Sequence, residues 1–358
     1  MQTLDDEMSV LFYAVFRVVV LRCATGDRRA RPDYSGRPAR KKETDVAVPK
    51  HPFVSAARNR RLYYAGALSA VLVLSACGGG SDGSEESEDS GPQVEADAEL
   101  AEMVPQDIRD KGTLKVGTDS SYAPAEYLDE DGATIIGFDV ELFDAVAAKL
   151  DLTAEWESSQ FGTIVEGVDT GKYDVGISSF TINEERLEQA NMVSYYNVGT
   201  QWFTAAGNPA DVDPDNACGK KVAVQQDTIQ VEDIQARSDA CEEAGDPKID
   251  IQQFEGQDQA TESIVSGNSD AGLADMPVAI YAVEQTDGQL EVLGEQYEAA
   301  PYGAVVSLDN TELAEAIAAG YQSIIDDGTY DEILSGWGLD EQGTLTESEV
   351  NPSVEDQE

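Results

Sequence analysis

The chain has 358 residues, enough for two domains of ordinary size, and a formal net charge of −47 at pH 7. Residues 77–358 carry 10 Lys and Arg against 63 Asp and Glu. A surface this negative repels phosphate over a Debye length, so nucleic acid is excluded as a partner of this part of the chain.

The composition also bears on the medium and on the available chemistry. So few basic residues favour a surface adapted to high salt, and an acidic secreted protein from an ordinary habitat is the alternative. The only histidine, His51, lies in the basic first part of the chain. If that part is removed, histidine-based triads and metal sites are excluded for the mature protein, and we expect neither a metal site nor a cofactor.

Residues 1–57 contain one short apolar run, at residues 10–20, which Arg17 interrupts. The run is too short to span a bilayer. We interpret residues 1–57 as an extension before the natural start, and we expect translation to begin near Val54.

Residues 58–76 have the form of a signal peptide, in which arginines at the start precede an apolar core at residues 62–74. The core ends in the sequence LSAC at residues 74–77, which resembles the lipobox of bacterial lipoproteins. The resemblance implies that Cys77 is acylated and becomes the new N-terminus. The protein would then be anchored by lipid at the cell surface, on the outer face of the cytoplasmic membrane. A buried free cysteine is the alternative.

Residues 77–107 are rich in Gly, Ser, Asp and Glu, so they are predicted to form a disordered acidic tether. The globular part is predicted to begin near Ile108. From there, strands are predicted at residues 113–118, 153–157, 175–177, 221–224, 249–254, 271–274, 290–293 and 304–307. Helices with an apolar stripe are predicted between most of them, including residues 138–150 and 311–326.

This alternation of strands and helices predicts an α/β fold with mostly parallel sheets covered by helices on both faces. In such sheets, ligands bind beyond the carboxyl ends of the strands. Ser178 falls at such a position.

Two cysteines remain in the globular part, Cys218 and Cys241. An exported chain meets an oxidising compartment, and Cys23 and Cys77 are otherwise accounted for, so we expect these two to form a disulfide. A zinc site is the weaker alternative, because a spacing of 22 intervening residues matches no usual zinc motif.

The stretch DVGISSFTINEER, at residues 174–186, is the leading candidate for a binding site. A short buried strand is predicted to end before Ser178 and Ser179, and Arg186 is predicted one turn into the following helix. An arginine and backbone N–H groups at a helix start suit a carboxylate, and the oxygens of Ser178, Ser179 and Thr181 suit an ammonium. The stretch therefore favours a free amino acid as ligand, and a solvated arginine on a surface helix is the alternative.

Five sequence blocks in order and spacing resemble family-3 solute-binding proteins, the extracellular amino-acid receptors of bacterial ABC importers. They span about residues 111–339 and read GTLKVGTDSSYAPAEY, GFDVELFDAVAAKL, GKYDVGISSFTINEER, SGNSDAGLADMPVAIYAV and DDGTYDEILSGWG. The resemblance implies a two-lobed clamshell of the periplasmic-binding-protein type II, which closes over its ligand about a hinge.

Carried onto this chain, the resemblance implies the following domain boundaries. Lobe one comprises residues 108–198 and 301–339, lobe two comprises residues 204–293, and the hinge crossings comprise residues 199–203 and 294–300. Residues 340–358 are left as a polar acidic tail.

The resemblance also implies residue roles at both ends of the ligand's backbone. The clamp for the α-carboxylate falls on Arg186 and on the backbone N–H groups of Thr181, Thr228 and Ile229. The partner of the α-ammonium falls on Asp275, with oxygens from Ser179 and Thr181, and a plain helix N-cap is the alternative role for Asp275.

The side chain of the ligand is implied to lie between Tyr122 and Phe161, whose alternative role is core packing. Asp119 matches a position at the far end of that side chain, where a carboxylate favours a guanidinium, ammonium or amide. Gln225 is included in the site because it precedes the lobe-two amides.

The chain departs from the family pattern in two places. Ala125 stands where many members have Phe, so that wall of the pocket is expected to be wider. Asp227 replaces a usual glycine near the carboxylate site, and its charge is unfavourable there unless it points to solvent.

The leading hypothesis is a monomeric lipid-anchored receptor that captures a polar amino acid and delivers it to the transmembrane subunits of an ABC permease, without catalysis. The ligand ranking places arginine, lysine and ornithine first, glutamine and histidine second, and acidic amino acids last. An enzyme of the cyclohexadienyl dehydratase kind is the alternative, and it would need an acid or base at the reacting carbon. A signalling sensor domain would need a transmembrane helix after the lobe, where this sequence has its polar tail.

Overall fold

The computed structural model describes residues 94–339 and 343–354. The predictions for residues 1–57, for the signal peptide at residues 58–76 and for Cys77 lie outside the described residues. Within the described ranges, no helix combines the length and hydropathy needed to cross a bilayer.

The structure consists of strands and helices that alternate along most of the chain. The strands are β1 (Thr113–Thr118), β2 (Ser121–Tyr122), β3 (Glu126–Leu128), β4 (Ile135–Ile136), β5 (Thr153–Ser158), β6 (Val175–Gly176), β7 (Asn191–Ala205), β8 (Lys221–Gln225), β9 (Asp250–Phe254), β10 (Ala271–Asp275) and β11 (Leu290–Val306). The helices are α1 (Ala98–Ala101), α2 (Gln106–Lys111), α3 (Phe138–Lys149), α4 (Ile164–Asp169), α5 (Glu184–Leu187), α6 (Ile229–Ala244), α7 (Gln257–Val265), α8 (Met276–Gln285), α9 (Thr311–Asp327) and α10 (Thr329–Gly336). Every strand predicted from the sequence overlaps one of these strands.

The main sheet has the strand order β5-β1-β6-β11-β7-β10-β8-β9. On one side of the β11 and β7 pair, β1 is parallel to β5 and β6, and on the other side β8 is parallel to β9 and β10. The predicted mostly parallel α/β fold is therefore confirmed. We call the β5-β1-β6 side lobe one and the β10-β8-β9 side lobe two.

Both lobes share the two long strands β7 and β11, which run antiparallel to each other. The sequence predicts two separate strands at residues 290–293 and 304–307, whereas the structure joins them into β11. The pairing slips on both sides of Tyr297, so the strand is irregular where it passes between the lobes. Gly199 lies opposite, and a Cβ there would come within 2.5 Å of the Tyr297 carbonyl oxygen, so only glycine permits this approach.

Helix α3 follows the predicted pattern closely. Its buried stripe includes Phe138, Leu142 and Val146, and its acidic first turn and its Lys149 in the last turn suit the helix dipole. It packs against α9, where Gly320 lets the two backbones approach, because a Cβ there would lie 2.8 Å from a methyl carbon of Val146. This packing covers one face of lobe one.

The folded part begins earlier than the sequence predicts. Val104 is buried, and Val94 and Leu100 pack against the core of lobe one. The Asp97 side chain caps α1, and the Asp97 N–H donates to the carbonyl of Lys149. A few apolar residues among many acidic ones therefore suffice to order residues 94–107, which composition alone assigns to the tether.

The predicted acidic tail is also partly packed on the fold. Strand β10 pairs with β7 only at residues 200–204. On the same side, the preceding part of β7 has backbone groups that no strand pairs. Residues 343–351 satisfy some of these groups. The backbone N–H of Ser194 donates to the carbonyl of Glu349, and the backbone N–H of Asn197 donates to the carbonyl of Gly343. The side chain of Val350 packs on the core of lobe one.

The predicted disulfide between Cys218 and Cys241 is present, with 5.6 Å between the two Cα atoms. It ties α6 to the segment before β8, and Cys241 is buried in the core of lobe two. A loop of 23 residues closed in this way contributes about 3 kcal/mol to stability in the chain-entropy account.

Candidate functional site

One cavity lies where the carboxyl ends of strands from both lobes meet. Its walls lie close together and leave about 10 Å³ for the centre of a water-sized sphere, room for about one water molecule, so the walls must move apart to admit a larger ligand. The structure brings all eleven predicted ligand-site residues to its wall, together with Gln230, which the sequence reasoning missed. The lining residues are Asp119, Tyr122, Phe161, Ser178, Ser179, Thr181, Arg186, Gln225, Thr228, Ile229, Gln230 and Asp275.

Arg186 lies in the short helix α5, whose N-cap Asn183 accepts a hydrogen bond from the Arg186 N–H at 2.9 Å. The guanidinium carbon lies 5.4 Å from the ring centres of both Phe161 and Phe180. Its Nη1 donates to the carbonyl of Thr181 at 2.7 Å. The aromatic rings and this carbonyl fix the orientation of the guanidinium.

The guanidinium of Arg186 has no carboxylate partner within 4 Å in the described part of the chain. Burial lowers the pKa of Arg186, and the charge of Asp275 opposes this effect. A guanidinium nonetheless stays protonated in proteins. Arg186 therefore presents a positive charge and several N–H donors, which suits a ligand carboxylate.

Asp275 is the N-cap of α8 by position, but its side chain makes no capping hydrogen bond. The plain N-cap role is therefore wrong. The carboxylate instead accepts from Tyr302 Oη at 2.7 Å and from Gln230 Nε2 at 2.8 Å. Burial raises the pKa of Asp275 to about 6, against these hydrogen bonds and the charge of Arg186, which lower it.

The lobe-two part of the site is the start of α6. Thr228 is the N-cap, and its hydroxyl donates to the carbonyl of Gln225 rather than capping the helix. Asp227 has a left-handed backbone conformation with φ at +63°, and its side chain is exposed. A Cβ on Gly162 of lobe one would lie 2.2 Å from a carboxylate oxygen of Asp227, so Asp227 packs across the cleft outside the cavity.

Tyr122 and Phe161 reach the cavity wall and also take part in packing. Phe161 stacks on Phe180 with 4.6 Å between ring centres. The hydroxyl oxygen of Tyr122 accepts from the Asp275 N–H at 3.1 Å. Both predicted roles, pocket wall and core packing, are thus compatible with the same side chains.

Asp119 lies at the cavity wall with its carboxylate already hydrogen-bonded. It accepts from the N–H groups of Ser121 and Phe161 at 3.1 and 3.0 Å and from Gln225 Nε2 at 3.0 Å. Burial raises the pKa of Asp119, against the hydrogen bonds from Ser121 and Phe161. Asp119 therefore supplies a fixed negative potential, and a ligand that bonds it directly must share it with Gln225.

The hydroxyls of Ser178 and Ser179 point behind the cavity. Ser178 Oγ donates to Glu126 at 2.9 Å, and Ser179 Oγ lies 3.2 Å from a carboxylate oxygen of Asp139. Sequence reasoning missed both carboxyl groups, although Glu126 and Asp139 stand in two of the five family blocks. The sequence feature that could have identified them is an acidic residue whose neighbours in the chain are apolar.

Several contacts between the lobes close the cleft around the cavity, among them a hydrogen bond from Arg186 Nη2 to the carbonyl of Asp227 at 3.5 Å. Three others join Gln225 to Asp119, the Asp275 N–H to Tyr122, and the Gln257 N–H to the Ser121 hydroxyl at 3.2 Å. No group of histidine, cysteine and acidic side chains in the described residues could hold a metal ion. The arrangement suits a small zwitterion whose carboxylate faces lobe one and whose ammonium faces lobe two.

Comparison with known proteins finds similar proteins over most of the described chain. The model of the bacterial extracellular solute-binding proteins, family 3, matches residues 114–340. The arginine-binding protein ArgT of Corynebacterium glutamicum is 37% identical over 254 residues, covering 71% of this chain and 83% of that protein.

Two solved structures are also similar. An ancestral arginine-binding protein bound to arginine matches with a TM-score of 0.58 and 32% identity, covering 63% of this chain and 98% of that chain. The ancestral amino-acid-binding protein AncCDT-1, a precursor of cyclohexadienyl dehydratase, matches with a TM-score of 0.57 and 29% identity, covering 64% of this chain and 97% of that chain.

Proposed function

The chain belongs to the bacterial extracellular solute-binding proteins of family 3, and we propose that it binds a basic amino acid, L-arginine first, for an ABC importer. The observation that carries this proposal is the placement of opposite charges on opposite lobes. Arg186 of lobe one and Asp275 of lobe two line the same cavity. An amino-acid zwitterion satisfies both only when the lobes are closed, so binding stabilises the closed form.

Two features of the cavity and the net charge of the chain support a cationic side chain on the ligand. Tyr122 and Phe161 offer aromatic faces, worth about 0.5–2 kcal/mol to a cation. Asp119 adds a buried negative potential at the same wall. The net charge of the chain steers cations toward the protein, although high salt weakens this effect.

The ligand ranking follows from these features. Arginine, lysine and ornithine come first because they carry a positive charge toward Asp119. Glutamine and histidine come second because they hydrogen-bond without a full charge at neutral pH. Glutamate and aspartate come last because Asp119 repels their side chains.

A thermal-shift panel of the twenty amino acids plus ornithine and citrulline tests the proposed function. We expect arginine to raise the melting temperature most, since a ligand at a hundredfold over its Kd adds about 2.7 kcal/mol to the stability of the folded form. A larger shift with glutamate or leucine than with arginine would contradict the assignment of Asp119 to the ligand side chain.

We also propose that the protein is a monomer, held at the outer face of the cytoplasmic membrane by a lipid on Cys77, and that it delivers its ligand to the transmembrane subunits of the permease. Cys77→Ala is expected to release the protein into the medium, because one acylated residue supplies the anchor. Membrane fractionation of cells that express the variant checks this, and a variant that stays membrane-bound would count against the lipid anchor.

A binding role without catalysis is the simpler use of this cavity. Asp119 and Asp275 each accept hydrogen bonds from protein donors, an arrangement that favours fixed charges over proton transfer to a reacting carbon. The likeness to a precursor of cyclohexadienyl dehydratase is to a protein that is itself described as amino-acid-binding. We therefore propose a receptor rather than an enzyme.

A further inference from the structure

Two buried carboxyl groups lie directly behind the cavity, and the proposed ligand contacts do not use them. Glu126 is the first residue of β3, Asp139 is the second residue of α3, and both are 0% exposed. Their carboxyl groups meet at one hydroxyl, since Ser179 Oγ lies 3.4 Å from Glu126 Oε2 and 3.2 Å from Asp139 Oδ2.

No lysine or arginine of the described residues lies within 4 Å of either carboxyl group. Two carboxyl groups this close in a buried place do not both ionise, because neither water nor a cation offsets their repulsion. The physically reasonable state holds one proton on the pair.

The hydrogen bonds indicate which of the two carries the proton. Asp139 Oδ2 accepts from Tyr195 Oη at 2.5 Å and from the Ser179 N–H at 3.0 Å, in addition to the Ser179 hydroxyl. Glu126 accepts mainly from Ser178 Oγ. Although Asp139 Oδ1 is buried without a hydrogen-bond partner, the three hydrogen bonds to Oδ2 make Asp139 the better acceptor, so Asp139 keeps the negative charge and the proton resides on Glu126. Consistently, burial raises the pKa of Asp139 to about 6 and that of Glu126 well above its usual range.

The pair is connected to the cavity through two serines. Ser178 Oγ donates to Glu126 Oε1 and accepts from the Asp119 N–H at 3.0 Å. Ser179 has a left-handed backbone with φ at +51°, which is uncommon for serine, and its N–H is held by Asp139. The pair thus fixes the turn after β6 and the start of the segment that carries Asp119.

We propose that Glu126 and Asp139 share a single proton and that this protonated pair is the positioning device for Ser178, Ser179 and Asp119 at the ligand pocket. The expected effect on arginine affinity rests on the proposed function, whereas the expected effect on melting temperature does not. Loss of the shared proton at high pH places two charges behind the pocket and disturbs the turn that both serines form.

The other titratable groups around the pair are the Asp119 carboxylate and a set of tyrosine hydroxyls. Tyr122 lies on β2, Tyr195 and Tyr196 on β7, and Tyr302 on β11. Tyr321 and Tyr330 lie on α9 and α10. The pKa values of these tyrosines are all raised by burial, so the tyrosines remain neutral over the range in which the pair titrates.

The sign of the effect on stability follows from the raised pKa of Glu126. The folded protein holds this proton to a higher pH than the unfolded chain does, so stability falls as the pH rises above the usual glutamate value. Glu126→Gln removes this proton. Its amide still accepts from Ser178 and donates to Asp139.

The test compares wild type, Glu126→Gln and the exposed control Glu130→Gln between pH 6 and pH 9. We expect the melting temperature of ligand-free wild type and of Glu130→Gln to fall with pH more steeply than that of Glu126→Gln. At pH 7 we expect Glu126→Gln to bind L-arginine within about threefold of wild type, and the ratio of wild-type to variant Kd to rise toward pH 9. If Glu126→Gln does not fold, Asp139→Asn removes the neighbouring charge and is expected to reduce the same slope, while burial still raises the pKa of Glu126.

If the melting temperatures of wild type and Glu126→Gln fall equally with pH, the proposal of a shared proton is refuted. A folded Glu126→Gln protein with about thirtyfold weaker arginine binding at every pH would overturn the assignment of the proton to Glu126, because it would show that a charged Glu126 is needed. If wild type binds no arginine, the proposed function fails, and the slopes of the ligand-free proteins still decide the inference.

Discussion

Arg186→Ala is expected to weaken the binding of every amino acid strongly, as measured by titration calorimetry. The α-carboxylate is common to all amino acids, and the Arg186 guanidinium is the unpaired cation at the cavity wall among the residues described. Removing one partner of a buried, hydrogen-bonded charge pair costs about 2–5 kcal/mol. The Kd should therefore rise by about thirtyfold to several thousandfold.

Two further variants separate charge from packing. Arg186→Lys keeps the positive charge but loses the planar fork, so we expect an intermediate loss of affinity. Arg186→Met keeps the apolar stem over Phe161 and Phe180, so the ligand-free protein should stay folded while binding is lost. Arg109→Ala, an exposed control on α2, should leave binding unchanged. Arginine affinity within threefold of wild type in Arg186→Met would refute the clamp.

Asp275→Asn is expected to weaken amino-acid binding by a similar amount, because it removes the charge that faces the α-ammonium. Asparagine has nearly the same shape, and its carbonyl oxygen can still accept from Tyr302 or Gln230. The loss of affinity would then reflect the lost negative charge rather than a change in side-chain size. Calorimetric titration at pH 7.5 measures it, and Asp309→Asn serves as an exposed control.

The pH dependence of Asp275 gives a second, sharper signature. Its pKa of about 6 means that it protonates as the pH falls from 7.5 to 5. Arginine affinity of wild type should fall about tenfold per pH unit below 6, because a neutral carboxyl does not pair with an ammonium. The stability of the ligand-free protein should receive the opposite contribution from Asp275, since protonation removes a buried charge. In Asp275→Asn both contributions should be absent. If the arginine affinity of that variant still fell below pH 6 as it does in wild type, the assignment would be refuted.

The positions of the polar residues after the strands were predictable from the sequence. Short apolar runs mark β1, β6, β8 and β10, and parallel strands of an α/β sheet place their carboxyl ends at the ligand edge. This rule places Ser178 at the ligand edge, whereas Asp119 and Asp275, which are far apart in the chain, were assigned to the same cavity through the family resemblance. The helix start before Arg186 was predictable because Asn183 is a good N-cap residue.

The hydrogen-bond partners of those residues were not predictable. An aspartate before a helix usually caps it, and only the tertiary position of Tyr302 and Gln230 draws the Asp275 carboxylate away from the helix. Likewise, the serine hydroxyls would suit an ammonium, but the buried Glu126 and Asp139 attract them first. Such choices depend on which groups lack water in the folded protein, and this is a property of packing.

The irregular part of β11 was equally beyond a sequence pattern. Gly294 and Glu298 have positive φ values, and the polar stretch between them breaks the alternation by which a strand is recognised. Pairing with the long strand β7 nevertheless keeps the segment extended. Tertiary pairing thus overrides local preference at the crossing between the lobes.

The most direct test of the central claim is a titration of wild-type protein with L-arginine and with L-citrulline. The two amino acids have the same length and the same backbone charges, and they differ in the charge at the end of the side chain. We expect one site per chain and an arginine Kd at least about tenfold lower than the citrulline Kd, because only arginine carries a cation to the aromatic walls and Asp119. Equal affinities, tighter binding of citrulline, or no binding of either would contradict a site built for a basic amino acid.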